Sequence, residues 1–382
     1  MTARPRGSPP AAATSPPPAH LKERLDGKSV VIVAGSGGVG KTTASAALAL
    51  GLAAAGARVA VVTIDPAKRL AESLGVEQLG NEPRRVEPKL LEGHGIEMRG
   101  ELWAMMLDPK ATFDDLMVRL APDAQTRDDV LGNRIYRELS GAVAGTQEFS
   151  AIAKLYDLHH EGGFDVLVLD TPPSRNALDF LDAPDRLTDF FEGRALKVFL
   201  APTGIAGRLM SAGTSIVFGV LKRLTGVNLL GDIAVFFRSL GGLIDGFKRR
   251  AAGVKALLAD PATTFLIVTS PEREPVAEAI FFREKLREAR MPFGGLIVNR
   301  AHIVDADLAD AGDVPAQLGD TLSAKVADAV ADLRELAARD AESIAALTER
   351  VGERDPIVVP RLDGDVQDID GLLALYRHLA GA

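Results

Sequence analysis

A short glycine-rich stretch near the start of the chain limits its fold more than any other feature. It contains the pattern G-x-x-x-x-G-K-[ST] in full, and its residues are Gly35, Ser36, Gly37, Gly38, Val39, Gly40, Lys41, Thr42 and Thr43. Glycines allow successive backbone N–H groups to turn toward one anion, because no Cβ blocks the tight curve. In such a loop the lysine adds a point charge at the β- and γ-phosphates, and the following hydroxyl binds Mg²⁺. We therefore predict that this stretch binds phosphates and Mg²⁺.

The residues on either side of this loop favour the same interpretation. Residues 29–34 form an apolar run that predicts a buried strand, and residues 44–55 are rich in Ala and Leu, which favours a helix. A helix that begins at the loop directs its N-terminus at the phosphates and stabilises their negative charge. The alternative is a glycine-rich turn that binds no ligand. The agreement between pattern and context argues against that alternative.

The composition excludes several classes of function. The chain has 382 residues, of which 47% are hydrophobic, so it can bury a large core. Its net charge of −8 argues against a nucleic-acid partner, because nucleic-acid binding needs a basic face. The chain has no cysteine, so disulfides and thiolate metal sites are impossible. No apolar run suits a transmembrane segment or a secretory signal, so we expect a cytoplasmic protein that is at most peripheral to a membrane.

Composition also suggests how the chain is divided. Residues 1–27 are predicted to be a disordered tail, since their first part is rich in Pro and Ala. Residues 28–382 are predicted to form one P-loop domain, and residues 184–260 a helical insertion within it. Residues 81–100 are expected to be irregular, because prolines and glycines interrupt them.

Two acidic residues follow predicted strands. Asp65 comes after the β-branched run of residues 58–64, and Asp170 after the apolar run of residues 164–169. Ligands of open α/β sheets bind at the carboxyl ends of the strands, so both carboxylates should lie near the phosphate-binding loop. An acid after an apolar strand is the Walker B arrangement, which holds Mg²⁺ directly or through water. For Asp65, an alternative is that it caps the helix that follows.

Two apolar helical stripes can be read within residues 187–258. Their members are Leu209, Ala212, Ile216, Val217, Val220 and Leu224 in the first, and Leu229, Ile233, Phe236, Phe237, Leu240, Ile244 and Phe247 in the second. One interpretation is an apolar groove for a membrane-protein segment or another hydrophobic partner. The other is that the stripes pack on each other or on a second subunit.

Taken as a set, these motifs resemble the ArsA family of P-loop ATPases. That family includes bacterial arsenite-pump ATPases and the ATPases that target tail-anchored membrane proteins. The resemblance covers residue 28 to the C-terminus and is greatest to the actinobacterial members of the anion-transporting type. Its matching segments are residues 37–43, residues 63–70 with Asp65-Pro66-Ala67, residues 102–116 with Asp108-Pro109, Gly145-Thr146-Gln147-Glu148, Asp170-Thr171-Pro172-Pro173, Leu296-Ile297-Val298-Asn299-Arg300 and Val358-Val359-Pro360.

The resemblance implies a doubly wound, mainly parallel α/β sheet of the deviant Walker A class, with an inserted helical subdomain. It also implies ATP and Mg²⁺ as cofactors and ATP hydrolysis as the activity. In this family Lys41 would stabilise phosphate charge, Asp65 would orient the attacking water, and Asp170 would support the metal with Thr42. Asn299 and Pro360 would contact the adenine. The family further implies a homodimer, or a heterodimer with a sister ArsA-like ATPase, that opens and closes with a hydrophobic or membrane-protein client.

Departures from the family pattern keep other functions open. Ser36 replaces a lysine that reaches across the family's dimer to the partner's phosphates, and residues 174–176 replace a Thr-Gly-His sequence. Without cysteine, neither a dimer-closing zinc site nor arsenite binding through thiols is possible. One alternative is therefore a low-activity nucleotide-binding subunit of a heterodimer. Another is a positioning ATPase of the ParA or MinD type, which the acidic charge and the nearly uncharged residues 371–382 disfavour.

Overall fold

The computed structural model of the chain describes residues 21–65, 68–94, 97–139, 146–171, 182–186, 189, 241, 243–304, 320–362, 366 and 368–380. Eight strands within these residues form one sheet. In chain order they are β1 (Val30–Ala34), β2 (Arg58–Thr63), β3 (Arg84–Arg85), β4 (Glu101–Met106), β5 (Val166–Asp170), β6 (Thr263–Thr269), β7 (Phe293–Ala301) and β8 (Ile357–Pro360).

The strands lie in the order β3-β4-β2-β5-β1-β6-β7-β8. Every neighbouring pair is parallel except β3 and β4, which are antiparallel at one edge. Val30 pairs with Leu167 on one side and with Thr263 on the other, so β1 lies in the middle of the sheet. The mainly parallel α/β sheet that the sequence predicts is thus confirmed.

Helices surround the sheet and connect its strands. In chain order the helices of the described residues are α1 (Leu21–Arg24), α2 (Lys41–Ala54), α3 (Arg69–Ser73), α4 (Pro88–Glu92), α5 (Pro109–Leu120), α6 (Ala124–Leu131), α7 (Arg134–Leu139), α8 (Thr146–Glu161), α9 (Ile244–Ala259), α10 (Arg273–Glu288), α11 (Asp320–Val351) and α12 (Ile369–Ala380).

Both faces of the sheet are buried under helices. Alternate residues of β1 point to opposite faces, so Val31 packs into one core with residues of α2 and α12. Ile32 packs into the other core with residues of α8, α9, α10 and α11. Strands buried on both faces are almost entirely apolar. This explains why β1 and β5 are recognisable from the sequence.

A third core lies among helices beside the sheet. It joins α5, α7, α8 and α9, and at its centre the rings of Phe149 and Phe247 stack with centroids 4.9 Å apart. Phe247 is only 1% exposed. It is the last residue of the second predicted stripe, and at this end the stripe packs within the fold. The first stripe, and the second from Leu229 to Leu240, lie outside the described residues.

The packed part of the chain begins earlier than the sequence predicts. Leu21 and Leu25 are buried, although residues 21–27 fall in the predicted disordered tail. Arg24 ties α1 to the far end of the chain, because it forms an ion pair of 3.0 Å with Glu353. Local composition carries no sign of this contact with a residue 329 positions away. Residues 1–20 lie outside the described residues.

One further prediction was too coarse, and others concern residues outside the described part of the chain. Residues 81–100 contain β3 and α4 between stretches without regular structure, so the segment is less irregular than expected. Pro66, Ala67, residues 172–181 and most of residues 184–260 lie outside the described residues. Among the helices that are described, none has the length and apolar character needed to cross a membrane.

Candidate functional site

The glycine-rich loop connects β1 to α2 at the carboxyl edge of the sheet. Gly35 has a φ of 153°, and a Cβ at this position would collide with the carbonyl oxygen of Val268 on β6. Gly40 has a φ of 94°, and a Cβ there would collide with the amide nitrogen of Asn299. Gly35 is therefore required by close approach to a backbone as well as by its own conformation, and Gly40 is required by its conformation. Gly37, Gly38, Val39 and Thr43 complete the loop and the first turn of α2.

Lys41 lies at the start of α2 and is buried. Its Nζ donates a hydrogen bond of 2.8 Å to the carbonyl oxygen of Ser36 within the same loop. Burial lowers the pKa of Lys41, and the negative charges of Asp170 and Asp65 act against that lowering. A buried cation is costly without a charged partner. An anion bound in the loop would supply such a partner.

Asp170 at the end of β5 accepts two hydrogen bonds from threonine hydroxyls. Its Oδ2 accepts from Thr42 Oγ1 at 2.7 Å and from Thr63 Oγ1 at 2.8 Å. The carboxylate is 1% exposed, and burial raises its pKa to about 6 against the opposing effect of these two bonds and of Lys41. Its other oxygen, Oδ1, is buried without a hydrogen-bond partner among the described residues.

The side chains of Thr42 and Asp170 fit Mg²⁺. This ion takes oxygen ligands and is usually held by one or two carboxylates together with substrate phosphates, rather than by a cage of protein groups. The unpartnered Oδ1 of Asp170 and the hydroxyl of Thr42 are ligands of this type, side by side beneath the loop. In the described part of the chain no three His, Asp or Glu residues form a metal-binding cluster.

Asp65 lies two residues beyond β2 and is linked to Asp170 through Thr63. The backbone N–H of Asp65 donates to Thr63 Oγ1 at 3.1 Å, and that hydroxyl donates to Asp170. The residue at the N-cap position of α3 is Lys68, three residues beyond Asp65. Sequence reasoning gave Thr63 no role. Two signals were present: Thr63 is a polar residue at the last position of a strand that is apolar from Val59 to Val62, and it begins the segment of residues 63–70 that resembles the family.

The tip of β7 approaches the same loop from the other side. Asn299 Nδ2 donates to the carbonyl oxygen of Val39 at 2.9 Å, and its Oδ1 accepts from the N–H of Arg300. Pro360, at the end of β8, pairs with Ala301 next to this tip. The structure therefore brings Asn299 into contact with the loop, and it places Pro360 on the neighbouring strand without a recorded contact to the loop.

Ser36 lacks the charge of a lysine, and its side chain is also buried. It is 7% exposed, and its Oγ is buried with no hydrogen-bond partner in the described part of the chain. Two cations that could compensate for the missing charge, Lys68 and Arg69, lie at the start of α3, and a third, Arg175, lies outside the described residues. Lys68 has a φ of 57°, a left-handed conformation that is uncommon for a residue with a side chain. Both Lys68 and Arg69 are exposed. The pKa of Lys41 is lowered mainly by burial, and the positive charge of Arg69 lowers it further.

The chain was compared with families of known proteins. Residues 28–316 match a family described as "Anion-transporting ATPase". This range includes the loop, Asp65, Asp170 and Asn299, and it ends before α11.

Individual relatives have ATPase names. The chain is 27% identical over 295 residues to "ATPase ARSA2" of Chlamydomonas reinhardtii, a match that covers 76% of this chain and 72% of the relative. It is 26% identical over 295 residues to "ATPase GET3A" of Arabidopsis thaliana, covering 76% and 73%. It is 32% identical over 157 residues to "ATPase get3" of Aspergillus terreus, covering 40% of this chain. That last match spans only 42% of the fungal relative.

Proposed function

The chain belongs to the anion-transporting ATPase family and is an ATPase of that family, and we propose that it binds Mg·ATP and hydrolyses its γ-phosphate bond. One observation supports this proposal most directly. The hydroxyls of Thr42 and Thr63 meet the buried carboxylate of Asp170 beside the ammonium of Lys41. A fixed cation, a carboxylate and a phosphate-binding loop at one sheet edge suit phosphoryl transfer to water.

In the proposed reaction, each residue acts through position and charge. Water attacks the γ-phosphorus, the bond to the bridging oxygen breaks, and ADP and phosphate leave. Lys41 exchanges the carbonyl of Ser36 for phosphate oxygens and stabilises their charge. Thr42 and Asp170 would hold Mg²⁺, which would neutralise charge on the phosphates. Asp65 orients the attacking water, and its link through Thr63 to Asp170 supports a fixed position for this segment.

The adenine is proposed to lie between the tip of β7 and the end of β8. The side-chain amide of Asn299 can donate to and accept from a base. Its present bond to the carbonyl of Val39 places it at the edge of the loop that binds the phosphates. Pro360 is proposed to line the opposite side, because it pairs with Ala301 two residues beyond Asn299.

Hydrolysis is proposed to drive the opening and closing of a dimer that acts on a hydrophobic or membrane-protein client. The sequence contains one copy of the phosphate-binding pattern, so a second subunit is proposed to complete the site. Residues of the second stripe would form the client groove, and Phe236 and Phe237 are the first residues to test. Replacing both by Ser should weaken client binding and leave the melting temperature nearly unchanged if they line a groove. A large drop in melting temperature would indicate that they belong to a core.

The test of the central proposal is steady-state turnover of ATP by the purified chain, with and without Mg²⁺. We expect turnover that requires Mg²⁺ and is lost in Lys41→Ala. If calorimetry detects no ATP binding to the folded wild-type chain, the proposed function is wrong. If ATP binds and turnover is absent, binding without hydrolysis is the better description.

A second candidate function is a nucleotide-binding subunit that hydrolyses ATP slowly until a sister ATPase pairs with it. The observation that favours it is Ser36, because this buried hydroxyl carries no charge where the family has a lysine. A cation that acts on the transition state is worth several powers of ten in phosphoryl transfer. Mixing the chain with a co-purifying sister ATPase should then stimulate turnover, whereas no stimulation by any such partner would count against this candidate.

A further inference from the structure

The tip of β7 is held in place by a residue of α11. Asp340 Oδ2 accepts a hydrogen bond from the backbone N–H of His302 at 2.9 Å and a second from the ring Nδ1 of the same residue at 2.8 Å. The carboxylate is an acceptor, so the ring nitrogen carries the proton in this pair. Two donors on one residue fix both the backbone and the side chain of His302.

These bonds lie just beyond an irregularity in the strand. The pairing of β7 with β8 shifts register between Val298 and Ala301. Arg300, within the shift, has a φ of 61°, which is uncommon for a residue with a side chain. Bulges of this kind turn a side chain in a new direction. Asn299 lies within this shift, and its amide reaches the carbonyl oxygen of Val39 in the glycine-rich loop.

Asp340 is an unusual residue for its position on α11. None of residues 322–339 is buried, whereas Asp340 is only 6% exposed. A buried carboxylate is costly unless it is paired, and an apolar residue would dock a helix as well or better. The two bonds to His302 offset that cost. The carboxylate at this position is therefore better explained by a role in fixing the backbone of His302 than by a role in docking the helix.

We propose that Asp340 is the positioning residue for recognition of the nucleotide base. It holds His302, which keeps the bulge at Arg300 in its left-handed conformation, and the bulge aims Asn299 at the base. This inference rests on the proposed ATP binding. It adds a residue of α11 that lies outside the matched family range of residues 28–316.

The competing explanation is that Asp340 only attaches α11 to the body of the protein. Ser343, one turn further along the helix, provides the matched control. Its Oγ donates to the carbonyl oxygen of Pro271 at 2.7 Å, so it also attaches α11, and it has no recorded bond to the tip of β7. Both roles predict some loss of stability in Asp340→Ala. Only the positioning role predicts a change in the choice of base.

The experiment measures binding of ATP, GTP and inorganic tripolyphosphate by calorimetry. The variants are Asp340→Ala, Asp340→Asn, His302→Ala and Ser343→Ala of the full chain. We expect Asp340→Ala to weaken ATP binding about tenfold, the value of one hydrogen bond to a base, with tripolyphosphate binding unchanged. The preference for ATP over GTP should shrink by the same factor. Asp340→Asn keeps an acceptor oxygen and should retain most of the preference, as should Ser343→Ala.

His302→Ala is the substitute test if Asp340→Ala does not fold. It should fold, because it leaves the backbone bond to Asp340 in place. It should reduce the ATP preference in the same direction and by less. An unchanged ratio of ATP to GTP affinity in the folded variants overturns the inference, as does an equal loss for all three ligands. Absence of ATP binding in the wild-type chain overturns the proposed function itself. That outcome is seen without any variant, so it can be told apart from failure of the inference about Asp340.

Discussion

Thr42 and Asp170 lie 128 residues apart in the chain, and a hydrogen bond of 2.7 Å joins the hydroxyl of the first to the carboxylate of the second. The bond exists because β5 is the parallel neighbour of β1, so the ends of both strands reach the same edge of the sheet. It places a hydroxyl and a carboxylate where a magnesium nucleotide would need them. Several tests follow from this geometry.

Replacing Thr42 should separate the role of its hydroxyl from that of its volume. Thr42→Ala should abolish the increase in ATP affinity on adding Mg²⁺, because the loop then loses one oxygen ligand. Thr42→Ser keeps the hydroxyl and should behave as wild type. Titration of ATP into each variant by calorimetry, with Mg²⁺ and with EDTA, measures the difference. A full response to Mg²⁺ in Thr42→Ala would exclude this residue as a ligand.

Replacing Lys41 should act on nucleotide affinity. Lys41→Ala removes the buried ammonium that now bonds to the carbonyl of Ser36, and we expect ATP binding to weaken at least about tenfold, since a hydrogen bond to a charged group is worth about 1.5–3 kcal/mol. Lys28→Ala is the control, because Lys28 Nζ bonds to the carbonyl of Pro261, which lies outside the site. An equal dissociation constant for both variants would contradict the assignment of the loop.

Replacing Asp65 should act on turnover rather than on binding. Asp65→Asn should lower kcat roughly a hundredfold, as expected for a residue that positions the attacking water, and should change the dissociation constant for ATP little. Asp108 is the matched control at the end of the neighbouring strand β4. It caps α5 through a 2.9 Å bond from the N–H of Ala111, so Asp108→Asn should affect stability and leave kcat unchanged. If kcat of Asp65→Asn stays at the wild-type value, Asp65 has no part in hydrolysis.

The charge missing at Ser36 predicts slow turnover by the chain alone. Ser36→Lys should raise kcat of a homodimer by about tenfold or more if a cation at this position acts across the dimer. Ser36 is buried, so melting temperatures must accompany the rates. Arg69→Ala tests the other source of charge, because Arg69 is exposed and acts electrostatically on Lys41. Fast wild-type turnover that only Arg69→Ala reduces would mean that α3 supplies the cation within one subunit.

The third core predicts a large cost for one member of the second stripe. Phe247→Ala removes a ring that stacks on Phe149, and it should lower the free energy of unfolding by about 3–5 kcal/mol. Phe281 is 41% exposed on α10, so Phe281→Ala should cost much less. Denaturant titration of both variants gives the comparison. Similar midpoints for the two would mean that the core around Phe247 contributes little.

Local patterns in the sequence were sufficient to predict a glycine-rich loop between a strand and a helix, the central strands and the two carboxylates at strand ends. The reason is that each of these features lies within about ten consecutive residues, where chain conformation follows from glycine content and apolar periodicity. The parallel sheet followed as well, because apolar strands that alternate with helices leave few other arrangements.

The tertiary structure alone decided which distant residues meet. The bond of Thr63 to Asp170 depends on β2 and β5 being neighbours, and that of His302 to Asp340 depends on the packing of α11 next to β7. The burial of Phe247 depends in the same way on α8, whose Phe149 stacks on its ring. A hydrogen bond or a packed ring requires specific positions in three dimensions. Periodicity along the chain indicates that a face will be buried, and it carries no information about the partner that buries it.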